Sequence, residues 1–367
     1  MKTLAPHFKP SLLTIALLCT PLLLTGQTDG INKKFHYDAQ VNSDSRLTIE
    51  NKYGDVTVNN WDQNKLVIDV IVTMRVKDQD RAEKLLSYIT VNYSQEGNEI
   101  KAITQIDDKF NNPGNFFSMG DDKNFSIDYT VNMPADLDFT LRNKYGNVAI
   151  SELTGHADIA VKYGNLKANK ILRNDNKPLS QVSLGYSHGS SIEEVNWIKL
   201  DLKYSKLEIS KARAVVAVSK YSKVRIEEAS SLVCEAKYDE YSVGRLVNFV
   251  GSAGYTDLSF DQVSRKFDLS LKYGKCNLNY VPAAFESIRV ESSYADVALG
   301  FDPKATFNFQ GDASYADINY PRDNARVNRI EENTSLHVDG IIGKANTSSS
   351  EVNVKTSYGN VSIRRNE

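Results

Sequence analysis

Residues 143–150 read NKYGNVAI. Residues 51–58 read NKYGDVTV, and residues 356–363 read TSYGNVSI. One chain writes nearly the same eight letters three times, at positions far apart, and the spacing of such copies decides the fold. Tyrosine followed by a small residue and a short alternating run recurs at Tyr53, Tyr145, Tyr163, Tyr186, Tyr204, Tyr221, Tyr238, Tyr255, Tyr273, Tyr294, Tyr315 and Tyr358. Between Tyr145 and Tyr315 the steps run from 17 to 23 residues. The final step, to Tyr358, is about two units long. It predicts one unit that has lost its tyrosine, near residues 335–342 (SLHVDGII).

Each unit has the same grammar. In residues 267–280, Phe267, Leu269, Leu271 and Tyr273 alternate with polar residues, which is strand periodicity. Gly274 and Lys275 break the alternation, and Cys276, Leu278 and Tyr280 start a new register. One unit is therefore strand, tight corner, strand. The residue after tyrosine is always small or turn-prone, as at Gly146, Ser205 and Ala295, and suits a corner that leaves strand geometry. The residue two before it is often small, as at Ser219, Ala236 and Ala253, which predicts room for the ring inside a narrow coil. Units this short cannot bury an apolar face alone, whereas stacked units can. The expected fold is all-β: a parallel β-solenoid (β-helix) of about 17–21 residues per coil, with like residues about 4.8 Å apart. Propeller blades need about 40 residues, and antiparallel hairpins favour Asn-Gly or Asp-Gly where this chain mostly writes Gly-Asn or Gly-Asp.

Residues 1–27 read as a signal peptide, with Lys2 and Lys9 ahead of the apolar run at 11–24. Cys19 invites a lipid anchor, but Leu18 stands where a small residue is expected. No later segment is apolar enough to span a bilayer. The expected location is outside the cytoplasm: periplasm, outer-membrane surface or extracellular. Residues 31–142 differ from the rest and read as a β-rich cap for one solenoid end: a long strand over 65–76, a helix over 79–89 capped by Asp78 or Asp80, strands over 90–93, 99–106 and 125–133, and a Gly/Asn-rich loop over 111–123. Residues 143–367 form the solenoid body.

The combination of exported leader, residues 51–70 (NKYGDVTVNNWDQNKLVIDV), a short helix and many later KYGNV or SYADV units resembles bacterial domain families named "putative adhesin". The resemblance implies an exported β-solenoid in the envelope of a Gram-negative cell, and it supplies no catalytic residues.

The net charge of −2 gives no footprint for nucleic acid. Seven lysines directly precede a repeat tyrosine: Lys52, Lys144, Lys162, Lys203, Lys220, Lys237 and Lys272. Stacked, they form a ridge that could meet an anionic glycan or phosphate; Asp201 and Glu235, two positions before Lys203 and Lys237, are expected to compensate it. Asp257, Asp296 and Asp317 each stand two after tyrosine, and Asp296 and Asp317 are expected on adjacent coils, where paired carboxylates can bind Ca²⁺ or work on a polysaccharide. The equivalent position holds Asn147, Asn165, Lys206, Lys223 and Lys275 in other units and reads as a polar turn site. His36, His156, His188 and His337 show no metal-ligand spacing. Cys234 and Cys276 fall two coils apart and on different strands, too far for a disulfide, and read as buried free thiols. The sequence therefore predicts no catalytic residue, metal or cofactor. It predicts a non-enzymatic envelope protein with adhesin-like binding to a surface glycan, an envelope protein or a surface polymer. The alternatives are a carbohydrate-active enzyme on the same scaffold and a scaffold or sensor of envelope stress.

Overall fold

The computed structural model describes residues 30–76, 78–111 and 125–366. The predicted signal peptide with Cys19, and residues 112–123 of the predicted loop, lie outside them. The chain is nearly all β, with one α-helix, and its strands join one large mixed sheet. The middle of the chain is built as the periodicity requires. Strands Ser190–Lys203, Lys206–Lys220 and Lys223–Lys237 pair parallel and in register, each residue beside the one seventeen positions on, as in Leu207 with Val224. Strand Glu240–Val281 carries the pattern through two further corners. Alternate residues turn inward, so that Leu207, Val224 and Tyr241 stack in one buried column. Apolar columns of this kind supply the core, at about 25 cal/mol per Å² removed from water.

The sheet is not parallel throughout, which corrects the expectation. Antiparallel strands close both ends. At one end Phe125–Met133 runs parallel to Val56–Asn60 but antiparallel to Lys65–Met74, which in turn pairs antiparallel with Ile31–Gln40. The helix Gln79–Ser87 packs near these strands, with Ala82, Leu85 and Leu86 buried. Asp78 caps it, accepting from the Arg81 amide at 3.0 Å. The long strand, the helix and the strands at 99–106 and 125–133 lie where the sequence placed them, within a few residues.

The other end departs from the sequence reading. Strand Glu351–Ser357 lies between Ser287–Phe301 and Phe307–Ser314, parallel to both. Strand Val361–Arg365 likewise lies between Ser287–Phe301 and Ile318–Asn319. The last unit in sequence is thus inserted between two units that precede it. Ser335–Ile342, expected to be a unit without its tyrosine, instead runs antiparallel to both Phe307–Ser314 and Ala325–Glu332 and covers the stack's end. The hairpin covers the parallel edge of Phe307–Ser314 and leaves Ala325–Glu332 outermost, where Arg326, Arg329, Glu331 and Glu332 put charge on the edge.

Rungs approach most closely at the glycine corners. An added Cβ at Gly146 would collide with the Gly54 carbonyl oxygen, and one at Gly164 with that of Gly146. Gly164→Ala should therefore destabilise by about 1–3 kcal/mol, the usual scale of overpacking. Thermal unfolding of the purified variant checks this; an unchanged midpoint would contradict the close approach.

Candidate functional site

The dominant surface feature is the tyrosine column. All twelve repeat tyrosines have φ between 51° and 68°, the left-handed region. A bulky residue there is uncommon and costs about 1–2 kcal/mol. The sequence placed the turn on the residue after tyrosine and the ring inside the coil. Both are corrected: the tyrosine itself makes the turn, and its ring stands outside. Tyr145 is 41% exposed, Tyr255 50% and Tyr315 60%. The reversal at a left-handed residue cancels the strand parity that would have sent the ring inward.

The rings form one continuous stack, in the order Tyr53, Tyr145, Tyr163, Tyr186, Tyr204, Tyr221, Tyr238, Tyr255, Tyr273, Tyr294, Tyr358, Tyr315. Centroids are 4.6–5.2 Å apart and the planes within 19° of parallel. Each aromatic contact contributes about 0.5–1.5 kcal/mol beyond its area, which offsets the left-handed backbone. Main-chain pairing continues through the corner: tyrosine amides donate to the next rung, as Tyr145 does to the Lys162 carbonyl at 2.9 Å and Tyr221 to that of Lys237 at 3.1 Å, whereas Tyr315, at the end of the column, donates to the Thr334 carbonyl. Because the ring faces cover one another, only edges and hydroxyls point outward along the column.

Inside the corner lies a second run that the sequence reading reduced to "small". The amide of Ser187 donates to Ser205 Oγ, that of Ser205 to Ser222 Oγ, that of Ser222 to Asp239 Oδ1 and that of Asp239 to Thr256 Oγ1, at 2.6–3.2 Å. Hydroxyls recurring after tyrosine were the available signal. Where this residue is Gly54 or Gly146, the side chain of Asn51 or Asn143 donates to its carbonyl instead. Burial pushes the Asp239 carboxyl up, against the pull of hydrogen bonds from the Ser222 amide, the Ser219 hydroxyl and the Lys237 amide.

The seven lysines do form a ridge beside the rings. Lys52 Nζ lies 4.6 Å from the Tyr53 centroid and Lys144 Nζ 4.7 Å from that of Tyr145. Lys162 lies over both Tyr163 and Tyr186, at 5.2 and 5.9 Å. Lys220, Lys237 and Lys272 sit 5.1–5.6 Å from their own rings. Of the two expected compensating pairs, one forms: Lys203 Nζ is 3.6 Å from Asp201. Among the described residues, the other six lysines have no carboxylate within 4.0 Å, and Glu235 does not reach Lys237. Two adjoining concavities, of about 630 and 690 Å³, follow this ridge from Lys52 to Lys272 and share Asp201 and Lys203. They form a trough nine rungs long, or about 38 Å at a rung spacing of ~4.8 Å. Val218 lines it and is exposed, as are Val216, Val233 and Val250, register partners on successive rungs. The sequence reading missed this apolar strip, although residues 214–218 (AVVAV) are apolar in both strand parities.

The remaining candidates do not converge. Asn360 separates Asp296 from Asp317: its amide donates to Asp296 Oδ1, and its own side-chain oxygen accepts from the Asp317 amide, at 2.8 and 2.9 Å. The two aspartates are thus two rungs apart, because the inserted unit lies between them. Asp257 pairs with Lys275 at 3.2 Å. His36 and His337 each meet an aspartate, Asp69 and Asp312, at opposite ends of the chain, and the bond to Asp312 raises the His337 pKa. His156 and His188 sit on different rungs between them, the backbone amide of His188 donating to Asn165. Cys234 and Cys276 are free and buried, and burial pushes Cys234 up to about 12. Among the described residues no three His, Cys, Asp or Glu side chains are grouped to hold a metal ion.

No family profile matches the chain, and no curated protein does. Among solved structures it is similar to a "putative adhesin" from Bacteroides fragilis, at 10% identity over 90% of this chain and 97% of that one, with a TM-score of 0.29. It is also similar to a "putative adhesin" from Parabacteroides merdae, at 12% identity over 72% and 95%, with a TM-score of 0.28. A protein described as a "putative lipid binding protein" from Parabacteroides distasonis matches at 11% identity over 92% and 99%, with a TM-score of 0.28. The adhesin neighbours carry the name of the families that the sequence resembles. Likenesses of this extent transfer no activity.

Two outcomes test the corner. Tyr221→Gly keeps the left-handed turn and loses the ring, whereas Tyr221→Val must force a β-branched residue into it. Chemical denaturation should find the valine variant less stable by at least about 1 kcal/mol; equal losses would refute a left-handed tyrosine. Asp239 holds its proton more tightly when folded, so the folded state binds more protons than the unfolded one and stability falls as pH rises from 3.8 through the raised value. Across that window the stability difference between the parent and Asp239→Asn should move in the variant's favour. A flat difference would show that the carboxyl is not raised.

Proposed function

We propose that this chain is an exported, non-enzymatic surface-binding protein of adhesin-like action, and that its ligand is a linear anionic polymer, a glycan bearing acidic groups. In this reading the parallel stack is the body of a β-solenoid over residues 143–367. Residues 31–142 cap it, residues 1–27 direct export, and the face beside the tyrosine column is the binding surface. The observation that carries the reading is the row of ridge lysines without carboxylate partners, held at the rung repeat along a trough. Cations carried at the rung repeat can meet a polymer that itself repeats, and weak contacts add along its length. The trough's own carboxylates, Glu50, Asp201 and Glu235, fall on rungs that are never adjacent, and Asp201 is paired with Lys203. That arrangement supports binding rather than glycoside hydrolysis, which needs two cooperating carboxylates across one bond.

Immobilised polygalacturonate should retain the protein, and neutral dextran should not. Retention should weaken as salt is added, because exposed charges are screened. Combined Lys220→Gln, Lys237→Gln and Lys272→Gln should cut affinity roughly tenfold or more, since each lost contact is worth a few tenths to one kcal/mol. Lys167→Gln, on the strand that follows the Tyr163 corner, should change little. Equal retention on both polymers, or none on the anionic one, would overturn the reading.

A further inference from the structure

Two rungs within the trough break the ridge: where the others carry lysine, they carry Gly185 and Gly254. Glycine within a strand weakens it and is usually there for a reason of backbone shape. The corner glycines have such a reason, since a Cβ at Gly146 or Gly164 would strike a carbonyl oxygen. Gly185 and Gly254 do not. Neither has a positive φ. An added Cβ would meet only the Lys162 side chain, at 3.5 Å or beyond, or the Lys272 carbonyl oxygen at 3.7 Å, both ordinary contacts. The backbone at both places would accept a side chain, so what these glycines provide is space.

Each space has a lysine on either side along the stack. Gly185 lies between Lys162 and Lys203, its register partners. Lys162 already leans toward that rung, with its ammonium over Tyr186 as well as Tyr163. Gly254 is in register with Lys237, and its rung adjoins that of Lys272 through the Tyr255–Tyr273 stack. Lys237 and Lys272 have no carboxylate partner among the described residues, whereas Lys203 is shared with Asp201.

We infer that Gly185 and Gly254 mark two equivalent anion seats in the trough. Each receives a carboxylate or phosphate group of a linear glycan between the ammonium groups of the flanking lysines. The inference rests on the polymer-binding reading and adds where the charges sit. From Tyr186 through Tyr204, Tyr221 and Tyr238 to Tyr255 is four rungs, so the seats are about 19 Å apart at ~4.8 Å per rung. A glycan too short to span them uses one seat, and one long enough uses both, the second engagement being intramolecular. The seats differ in strength, because Asp201 competes for Lys203 at the first and no carboxylate competes at the second.

The test fills the seats and leaves every lysine in place. The parent chain, Gly185→Leu, Gly254→Leu and the double variant are titrated calorimetrically with oligogalacturonates of increasing length and, as the phosphate source, with phosphorylated mannan oligosaccharides. The expected result is a loss of tenfold or more in the double variant, a larger single loss from Gly254→Leu than from Gly185→Leu, and in the parent an affinity that rises sharply once the oligomer spans both seats. The oligosaccharide that the parent binds more tightly identifies the acidic group. Gly185→Ala with Gly254→Ala should melt at or above the parent's midpoint, which separates filling from unfolding. If the leucine double variant binds as the parent does while the lysine-to-glutamine variant has lost binding, the seats are refuted and the polymer-binding reading stands. If the parent binds neither oligosaccharide, both readings fall.

Discussion

The structure depends on one constraint: every turn of the chain must reverse at the same place while its main chain keeps pairing with the turns on either side. A left-handed residue achieves the reversal without losing the amide bond to the next rung. Glycine would do so at the cost of a looser unfolded state. This chain uses tyrosine, whose ring recovers through stacking what its backbone loses. The main-chain spacing sets the ring spacing, and centroids near 5 Å in nearly parallel planes follow from rungs about 4.8 Å apart. Corner and column are therefore one device, and shifting a single rung would break both.

The period, the strand–corner–strand unit and the main strands and helix between residues 65 and 133 were legible in the sequence, because each rests on local alternation or a local cap; the strand Ile31–Gln40 was not read. The side of the wall on which the rings stand was not. Phe267, Leu269, Leu271 and Tyr273 share one parity, and only the backbone angle at Tyr273 separates its ring from the three buried side chains. Stack order was hidden for a different reason. Distance along the chain says nothing about a segment that returns, so the long step before Tyr358 read as a silent unit and Asp296 and Asp317 read as neighbours. The lysine ridge was legible as residues and illegible as a charge pattern, since whether Glu235 meets Lys237 depends on rotamers rather than on spacing.

The candidate site shows how a repetitive scaffold acquires a specific surface. Buried columns and corner hydrogen bonds must recur on every rung, which leaves only outward positions free to vary. On this face they vary in blocks: lysines beside most rings, valines at Val216, Val218, Val233 and Val250, and two glycines without a backbone task. Departures from the repeat are therefore more informative about binding than the repeat itself. The stacked rings contribute rigidity and hydroxyl edges, and their mutually covered faces are closed to sugar stacking except at the ends of the column.

The inserted terminal unit bears on how the molecule is made. Residues 351–365 leave the ribosome after residues 287–319, yet they belong between two neighbours that emerged before them. The wall therefore cannot be completed in order of synthesis: a place one rung wide must be kept, or opened, until residues 351–365 arrive. A chain interrupted before residue 351 would lose an interior rung rather than a terminal one, and with it the contact that joins Tyr294 to Tyr315 through Tyr358. Arrival of residues 351–365 is in this way checked by the architecture itself.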